Sequence, residues 1–310
     1  MDDTIGLVSG DRLRIAVLGP GGVGGLLAAL LARSGNAVVV LAGDNTARAI
    51  NEKGLSVESA RFGDFHVTVR TADRLRTPVD ACLITVKATQ LESALARVPA
   101  GALGEGLVVP FLNGIDHVDM LRRMYPSSNV AAATIRIDVA RVEAGFIRHN
   151  SPFAAVDLAA NDMTRDRVER LAAALRETGL DVQVRDDEIA MLWDKLSLLA
   201  PMAIITPHER ANVGAVRTRR REDTLALISE VAAVARSEGS AVDPEAVARL
   251  LDMAPETMET SMQRDQAAGL PLELDAIGGA VMRHAAMSGV AVPVTSRLVE
   301  DLRKRHAYPR

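Results

Sequence analysis

Cysteine is nearly absent from this sequence. The 310-residue chain contains one, Cys82. A single cysteine can form neither an internal disulfide nor a cysteine-rich metal site, which excludes disulfide-stapled domains and zinc ribbons. Because Cys82 lies in the apolar run 81–84, we interpret it as a small core residue. No spacing of histidine and carboxylate residues predicts a metal site either.

Aromatic residues and excess positive charge are also scarce. Aromatics make up 3% of the chain and the formal net charge is −4. A chain with no basic field and few stacking side chains is not expected to bind nucleic acid. The core must therefore be aliphatic.

Long uncharged apolar runs are missing as well. We expect no membrane-spanning segment and no membrane partner. The segment 1–12 is polar and acidic, without the apolar stretch of a signal peptide. Apolar residues make up 48% of the chain and charged residues 25%, the balance of a globular protein, so we expect a cytoplasmic enzyme.

The first half of the chain alternates between strand and helix patterns. Short apolar runs predict strands at 14–18, 37–41, 81–86 and 106–110. Helical patterns lie between or after them, at 26–33, 46–53, 89–97 and 115–123. This alternation predicts a parallel sheet covered by helices. Further strands are predicted at 130–139, 146–149, 154–158 and 181–184, with a helix at 163–177.

From residue 187 onward the pattern is helical. We predict helices at 188–200, 223–238, 244–253, 258–268, 272–288 and 296–306, separated by turn residues that include Pro207. We therefore predict an α/β Rossmann-like domain over 12–185 and an all-α domain over 186–310, since a chain of this length can build two cores. Apolar stripes at 225–235 and 274–287 predict either core or a dimer face.

A glycine-rich segment follows the first strand. Residues 19–24 read GPGGVG, which fits the G-x-G-x-x-G pattern. In that pattern Gly19 makes the turn, Gly21 lets the backbone approach a pyrophosphate, and Gly24 lets the helix pack close to the strand. The helix start at Gly22 and Val23 would offer N–H groups to the phosphates. The pattern alone also fits a plain turn, but its position between strand and helix favours dinucleotide binding.

Asp44 lies near the end of the second strand, twenty positions after Gly24. An acidic residue at this point can bind the 2′-OH of the adenine ribose and favours NAD(H). A 2′-phosphate would need a basic neighbour, and Arg48 and Lys53 are candidates. Asp44 could instead be a helix N-cap or turn residue, because the segment 43–46 is turn-like.

Local patterns then recur in a recognisable order. They are VKATQ at 86–90, NG at 113–114, WDKL at 193–196, SMQRD at 261–265 and LELD at 272–275. In this order the chain resembles the ketopantoate reductase (2-dehydropantoate 2-reductase) family over almost its whole length. The resemblance implies a Rossmann-like domain, a C-terminal domain like that of 6-phosphogluconate dehydrogenase, and an active site in the cleft between them. It also implies NADP(H) as cofactor, reduction of a 2-keto acid, and a place in pantothenate biosynthesis.

The resemblance also implies roles for individual residues. Lys195 matches the catalytic lysine, and Glu273 matches the glutamate that orients the substrate hydroxyl and holds the lysine. Asn113 and Lys87 match residues at the nicotinamide ribose and substrate, and Ser261 matches a serine that binds the substrate carboxylate. These assignments agree with the chemistry, because a ketone that receives hydride becomes an alkoxide and needs a nearby acid or cation.

Several positions depart from the family pattern. The basic residue usually found shortly before the glutamate is absent from 269–272, and the Asn-Gly pair that usually follows the glutamate is Gly-Gly at 278–279. Members usually carry asparagines one and two helical turns after the catalytic lysine, where this chain has Leu199 and Ala203. The arginine that often ends the second strand and binds a 2′-phosphate is Gly43 here. We therefore expect Leu199 to line a substrate pocket more apolar than that for ketopantoate, and we expect NADH to be accepted.

Alternative functions remain open at this point. The chain could reduce a different, more apolar carbonyl compound or an imine, as an opine-type dehydrogenase does. It could also be a non-catalytic NAD(P) sensor, although a sensor has no need for Lys195 together with Glu273. In each case the expected partners are a small molecule and a second copy of the chain, as a homodimer.

Overall fold

The computed structural model describes residues 12–307. The expectation that residues 1–11 are not a signal peptide, and the end of the second predicted domain at 308–310, therefore lie outside the described residues. Contacts divide the described chain into two compact units. The first holds residues 12–112 and 117–188, and the second holds 113–116 and 189–307. The four residues 113–116 thus belong to the helical unit, although the chain on both sides of them belongs to the α/β unit.

Between residues 12 and 307 the chain forms ten strands. They are β1 (Arg14–Leu18), β2 (Ala37–Leu41), β3 (Leu55–Ser59), β4 (Phe65–Val67), β5 (Arg70–Ala72), β6 (Ala81–Ile84), β7 (Leu107–Pro110), β8 (Ala133–Glu143), β9 (Phe146–Ala159) and β10 (Asp181–Arg185).

The same part of the chain forms thirteen α-helices. They are α1 (Gly22–Arg33), α2 (Asp44–Lys53), α3 (Leu91–Leu95), α4 (Ala100–Leu103), α5 (His117–Met124), α6 (Arg165–Glu177), α7 (Glu188–Glu209), α8 (Val213–Arg219), α9 (Arg221–Ser237), α10 (Pro244–Met253), α11 (Ser261–Ala267), α12 (Ala280–Ser288) and α13 (Pro293–Ala307).

The first sheet of the α/β unit is fully parallel. Its strands lie in the order β5-β2-β1-β6-β7, with β1 in register between β2 and β6. Counted along the chain this is the order 3-2-1-4-5 of a dinucleotide-binding sheet. The central strands β6 and β7 are buried throughout, as expected of parallel strands covered on both faces. Cys82 is fully buried in β6, and burial raises the pKa of its thiol to about 12, which confirms it as a core residue.

A second sheet covers the other side of α1. Its strands lie in the order β10-β9-β3-β4, and β8 pairs antiparallel with β9. Because α1 contacts strands of both sheets, residues 24–31 of this helix are all buried. The two strands predicted at 146–149 and 154–158 are one strand, β9, so that prediction was wrong. The intervening residues keep pairing because β9 forms a long hairpin with β8.

Three short strands were not predicted from the sequence. The strand β5, which is the outer strand of the parallel sheet, has three residues and so gives no measurable period. The strand β4 is equally short. The strand β3 alternates buried and half-buried positions, but its polar serine and glutamate residues hide the pattern in sequence.

The helical unit contains one helix that is longer than predicted. The helix α7 continues to Glu209 through Pro201 and Pro207, so the predicted end at 200 and the break at Pro207 were wrong. Residues 200–208 are all buried, and this burial outweighs the backbone hydrogen bonds that the two prolines remove. Among residues 12–307 only α7 is long and apolar enough to cross a membrane. Since 61% of the apolar stretch of α7 is buried inside the protein, we interpret α7 as a core helix.

Candidate active site

The glycine-rich turn lies between β1 and α1. Gly19 has a φ of +90°, and the N–H of Gly21 donates to the Gly19 carbonyl at 2.8 Å. The hydroxyl of Thr85, directly after β6, donates to the carbonyls of Leu18 at 2.9 Å and Gly19 at 2.8 Å. Thr85 therefore fixes the turn from the neighbouring strand. Sequence reasoning missed it, although a hydroxyl residue directly after a buried strand was a usable signal.

Close packing in this turn explains the glycine at position 24. A Cβ there would lie 2.2 Å from Thr85 Oγ1 and 2.3 Å from the Gly19 carbonyl oxygen. At Gly21, in contrast, a Cβ would meet nothing within 4 Å. The first N–H groups of α1, at Gly22, Val23 and Gly24, have no acceptor within the helix. The open space at Gly21 lies beside these unpaired helix N–H groups and can therefore accommodate a pyrophosphate.

The carboxyl ends of β2 and β6 carry the other residues predicted to bind cofactor. Asp44 is exposed and begins α2, whose N-cap is Gly43 with no side-chain cap hydrogen bond. The N-cap interpretation of Asp44 was therefore wrong, while binding to the ribose stays a prediction. Lys87 is half-buried and precedes a short 3₁₀ helix just beyond β6. Both residues lie at the sheet edge where α/β proteins bind ligands.

In the helical unit, α7 carries the predicted catalytic lysine. Trp193 on this helix is 2% exposed and packs edge-on against His284, with ring centroids 5.5 Å apart. This buried tryptophan fixes the rotation of α7. Lys195 and Leu199 are then half-buried, whereas Ala203 is buried. Lys195 and Leu199 share a helix face because they are four residues apart.

Asn113 and Glu273 are brought together by the fold of the helical unit. The Asn113 amide Nδ2 donates to Glu273 Oε2 at 3.0 Å. Glu273 is 4% exposed, so this amide is a partner for a buried carboxylate. The sequence had suggested separate roles for the two residues and did not predict their contact. Fixing Asn113 against Glu273 restricts the orientation of both side chains.

Ser261 begins α11 and is half-buried. The preceding residue, Thr260, caps this helix by accepting from the N–H of Gln263 at 3.2 Å. Thr260 also forms a hydrogen bond of 2.8 Å with the buried Thr206 of α7. This threonine pair ties the segment of Ser261 to the helix that carries Lys195.

A π-helical turn begins two residues after Glu273. It covers Asp275–Gly279 and leads into α12, so the single helix predicted at 272–288 is interrupted there. Such turns are often found at functional sites. A Cβ at Gly114 would lie 2.0 Å from the Ala276 carbonyl oxygen, so only glycine fits between Asn113 and this turn.

Two basic residues of α12 hold the segment 113–116. Arg283 donates to Asp116 Oδ2 at 2.6 Å and to both carboxylate oxygens of Asp275 at 3.1 Å. His284 lies between two acids, with Nε2 3.1 Å from Asp116 Oδ1 and Nδ1 3.1 Å from Glu238 Oε1. These contacts fix the short segment that carries Asn113.

The charges of this cluster shift its pKa values. The hydrogen bond to Asp116, followed by that to Glu238, raises the pKa of His284 above 6.5 against the effect of desolvation. For Asp116 desolvation opposes ionisation, but the hydrogen bonds from His284 and Arg283 still lower its pKa below 3.8. Both groups are therefore charged around pH 6.

We expect a pH-dependent stability from His284. Because its pKa is raised on folding, protonated His284 stabilises the protein fully below pH 6.5, and this contribution is lost as pH rises through the folded pKa. Between about pH 6 and 9, the melting temperature of wild type should therefore fall by a few degrees more than the melting temperature of His284→Gln. His306→Gln, at an exposed histidine, is the control and should follow wild type. An identical pH dependence in wild type and His284→Gln would contradict this role.

A parallel sheet of this order, with a glycine turn leading into a buried helix, is typical of nicotinamide-dinucleotide-dependent oxidoreductases. Comparison with known families agrees. The family described as ketopantoate reductase PanE/ApbA matches residues 15–162, and its C-terminal part matches residues 187–306. The 2-dehydropantoate 2-reductase of Mycobacterium tuberculosis (strain ATCC 25618 / H37Rv) is 31% identical over 92% of this chain and 95% of its own length. The chain therefore belongs to the ketopantoate reductase family.

Solved structures show the same fold. The PanE/ApbA family ketopantoate reductase of Ralstonia eutropha JMP134 has a TM-score of 0.84 at 26% identity, covering 95% of this chain and 99% of that one. The 2-dehydropantoate 2-reductase of Geobacter metallireducens GS-15 has a TM-score of 0.86 at 26% identity, with 94% and 100% covered. A D-mandelate dehydrogenase solved with NADH and anilino(oxo)acetate has a TM-score of 0.87 at 22% identity, with 94% and 98% covered.

Proposed function

We propose that this protein reduces a 2-keto acid to a 2-hydroxy acid with NAD(P)H. The observation that carries the proposal is the buried carboxylate of Glu273 with its amide partner Asn113, in the same unit as Lys195. Relatives that cover nearly the whole chain are 2-dehydropantoate 2-reductases, which supports a small keto acid as the substrate. A reduced nicotinamide, when bound, supplies the hydride.

The residues of the chain then have separate tasks in this proposal. The N–H groups at Gly22, Val23 and Gly24 bind the pyrophosphate. Lys195 donates a proton to the carbonyl oxygen as that oxygen gains negative charge, and its cation stabilises the charge before the transfer.

The remaining residues orient the substrate. Glu273 holds the Asn113 amide, which can still donate through its second N–H and accept through its oxygen. Lys87, at the carboxyl edge of the sheet, is proposed to contact the nicotinamide ribose. Ser261 is the proposed partner of the substrate carboxylate. Leu199 presents an apolar side chain one helical turn from Lys195.

The substrate preference should favour apolar keto acids. Ketopantoate and 3,3-dimethyl-2-oxobutanoate differ only by the hydroxyl of ketopantoate. A site that hydrogen-bonds such a hydroxyl rejects the analogue by about 10⁴-fold or more. With Leu199 in place of an amide, we expect the two substrates to differ in kcat/KM by less than about tenfold. Steady-state rates, followed by absorbance of the reduced cofactor, measure this ratio.

Leu199→Asn provides the matched test of that pocket. Restoring an amide should shift the kcat/KM ratio toward ketopantoate, whereas Leu225→Asn, at an exposed leucine of α9, should leave the ratio unchanged. A strong preference of wild type for ketopantoate would reject the apolar pocket while leaving keto-acid reduction intact. Turnover of neither substrate, nor of longer branched 2-keto acids, would reject the proposed reaction itself.

The oligomeric state and cellular location of this protein are also proposals. The ketopantoate reductase of Staphylococcus aureus is described as dimeric, and we propose a homodimer here. We also propose a cytoplasmic location, where reduced nicotinamide cofactors and keto acids are available.

A further inference from the structure

An arginine from a distant part of the sequence lies at the end of β2. Arg97 follows α3, in the connection between β6 and β7. Its Nη1 donates to the carbonyl of Ala42 at 3.1 Å and to the carbonyl of Asp73 at 2.5 Å. Its backbone carbonyl accepts from the N–H of Leu75 at 2.7 Å. The guanidinium is therefore fixed across the carboxyl ends of β2 and β5.

The same guanidinium occupies the space beside Gly43. Its Nη2 lies 3.8 Å from the position that a Cβ of residue 43 would take. The charge of Arg97 therefore lies beside the point where a side chain at position 43 would begin. Family members often carry their arginine at this point, and here a different element delivers the cation.

This end of β2 also faces the glycine turn. The N–H of Gly19 donates to the carbonyl of Leu41 at 3.2 Å, which joins the turn to the last residue of β2. In dinucleotide-binding sheets with this strand order, the adenine ribose lies beyond the second strand, where an acidic residue reads its 2′-OH and an arginine accommodates a 2′-phosphate. Arg97 and the exposed Asp44 are both at that place.

We propose that Arg97 binds the 2′-phosphate of NADP(H) and so determines the cofactor preference. This inference rests on the proposed function, since it requires a dinucleotide at the glycine turn. A guanidinium whose Nη1 is held by two carbonyls keeps its Nη2 donors directed to one place, which suits a phosphate. The basic residues of α2, Arg48 and Lys53, are exposed and lie along a helix that begins beyond Gly43. Arg97 overcomes the repulsion between Asp44 and a 2′-phosphate.

Two small probes isolate this contact without catalysis. Adenosine 2′,5′-bisphosphate and adenosine 5′-monophosphate differ only by the 2′-phosphate, and their Kd values can be measured by calorimetry on the full chain. We expect wild type to bind the bisphosphate more tightly. Arg97→Gln should weaken bisphosphate binding by about 10- to 100-fold and change monophosphate binding by less than about twofold. Arg97→Lys keeps the charge but loses the planar guanidinium. Its Kd for the bisphosphate should therefore lie between the values of wild type and Arg97→Gln.

Arg48→Gln is the matched control and should bind both probes like wild type. Retained monophosphate binding in Arg97→Gln also shows that the loss of the carbonyl contacts has not unfolded the unit. The assignment of Arg97 would be overturned if Arg97→Gln lost affinity for both probes equally, or lost affinity for neither. It would also be overturned if Arg48→Gln lost affinity for the bisphosphate alone. If wild type bound neither the two probes nor NADH and NADPH, the proposed dinucleotide site itself would be overturned.

Discussion

Replacing Lys195 by alanine should lower kcat by about 10²- to 10⁴-fold while the Kd for reduced cofactor stays unchanged. The reason is that Lys195 is the only lysine of α7, and the proposed mechanism assigns to it the proton that the carbonyl oxygen receives. Because cofactor binding is assigned to the glycine turn, the substitution should separate binding from chemistry. Stopped-flow oxidation of NADPH by a keto acid, together with a direct titration of cofactor, measures both quantities.

The fold of this variant can be checked from within the same helix. Trp193 is the single tryptophan of the chain, is buried, and lies two residues before Lys195. Its fluorescence therefore reports on α7 in wild type and variant alike. Asp194→Ala, at the exposed neighbour, is the control and should keep most of the activity. Full turnover by Lys195→Ala would remove the lysine from the mechanism. A wild-type protein that binds cofactor but turns over no keto acid would favour the sensor alternative.

Local sequence predicted the dinucleotide-binding part well, because its signals are short and contiguous. The strands β1 and β2 have the bounds predicted from their short apolar runs, 14–18 and 37–41. The glycine turn is recognisable because all its glycines lie within six residues. The end of β5 could not be recognised in this way, since three residues carry too little pattern.

Contacts between distant residues explain what the sequence did not predict. Asn113 and Glu273 are separated by 160 positions, and only the folded helical unit brings them together. Arg97 and Ala42 are separated by 55 positions, so the sequence showed that the arginine is missing at Gly43 but did not show that the fold brings another guanidinium beside this glycine. The length of α7 was underestimated because burial of residues 200–208 is a tertiary effect that outweighs local proline signals.

Gly24→Ala should strongly weaken dinucleotide binding and also destabilise the α/β unit. The added Cβ would lie 2.3 Å from the Gly19 carbonyl oxygen and 2.2 Å from Thr85 Oγ1, so either the turn or the start of α1 must move. Overpacking of this kind costs about 1–3 kcal/mol, and a displaced helix start no longer directs its N–H groups at a pyrophosphate. We expect the Kd for NADPH to rise by about 100-fold or more, in line with the loss of about 3 kcal/mol of binding free energy.

Gly21→Ala separates the two effects of that prediction. Its Cβ would meet no atom of the protein within 4 Å, so the melting temperature should stay at the wild-type value while the new methyl group obstructs the approach of the pyrophosphate. Gly101→Ala, which also has open space around its Cβ and lies in α4, should leave cofactor binding unchanged and should not lower the melting temperature. Thermal melts and cofactor titrations of the three variants therefore distinguish packing from binding. If Gly24→Ala and Gly21→Ala both bound NADPH like wild type, the pyrophosphate would have to be held elsewhere, and the glycine turn would serve only to connect β1 with α1.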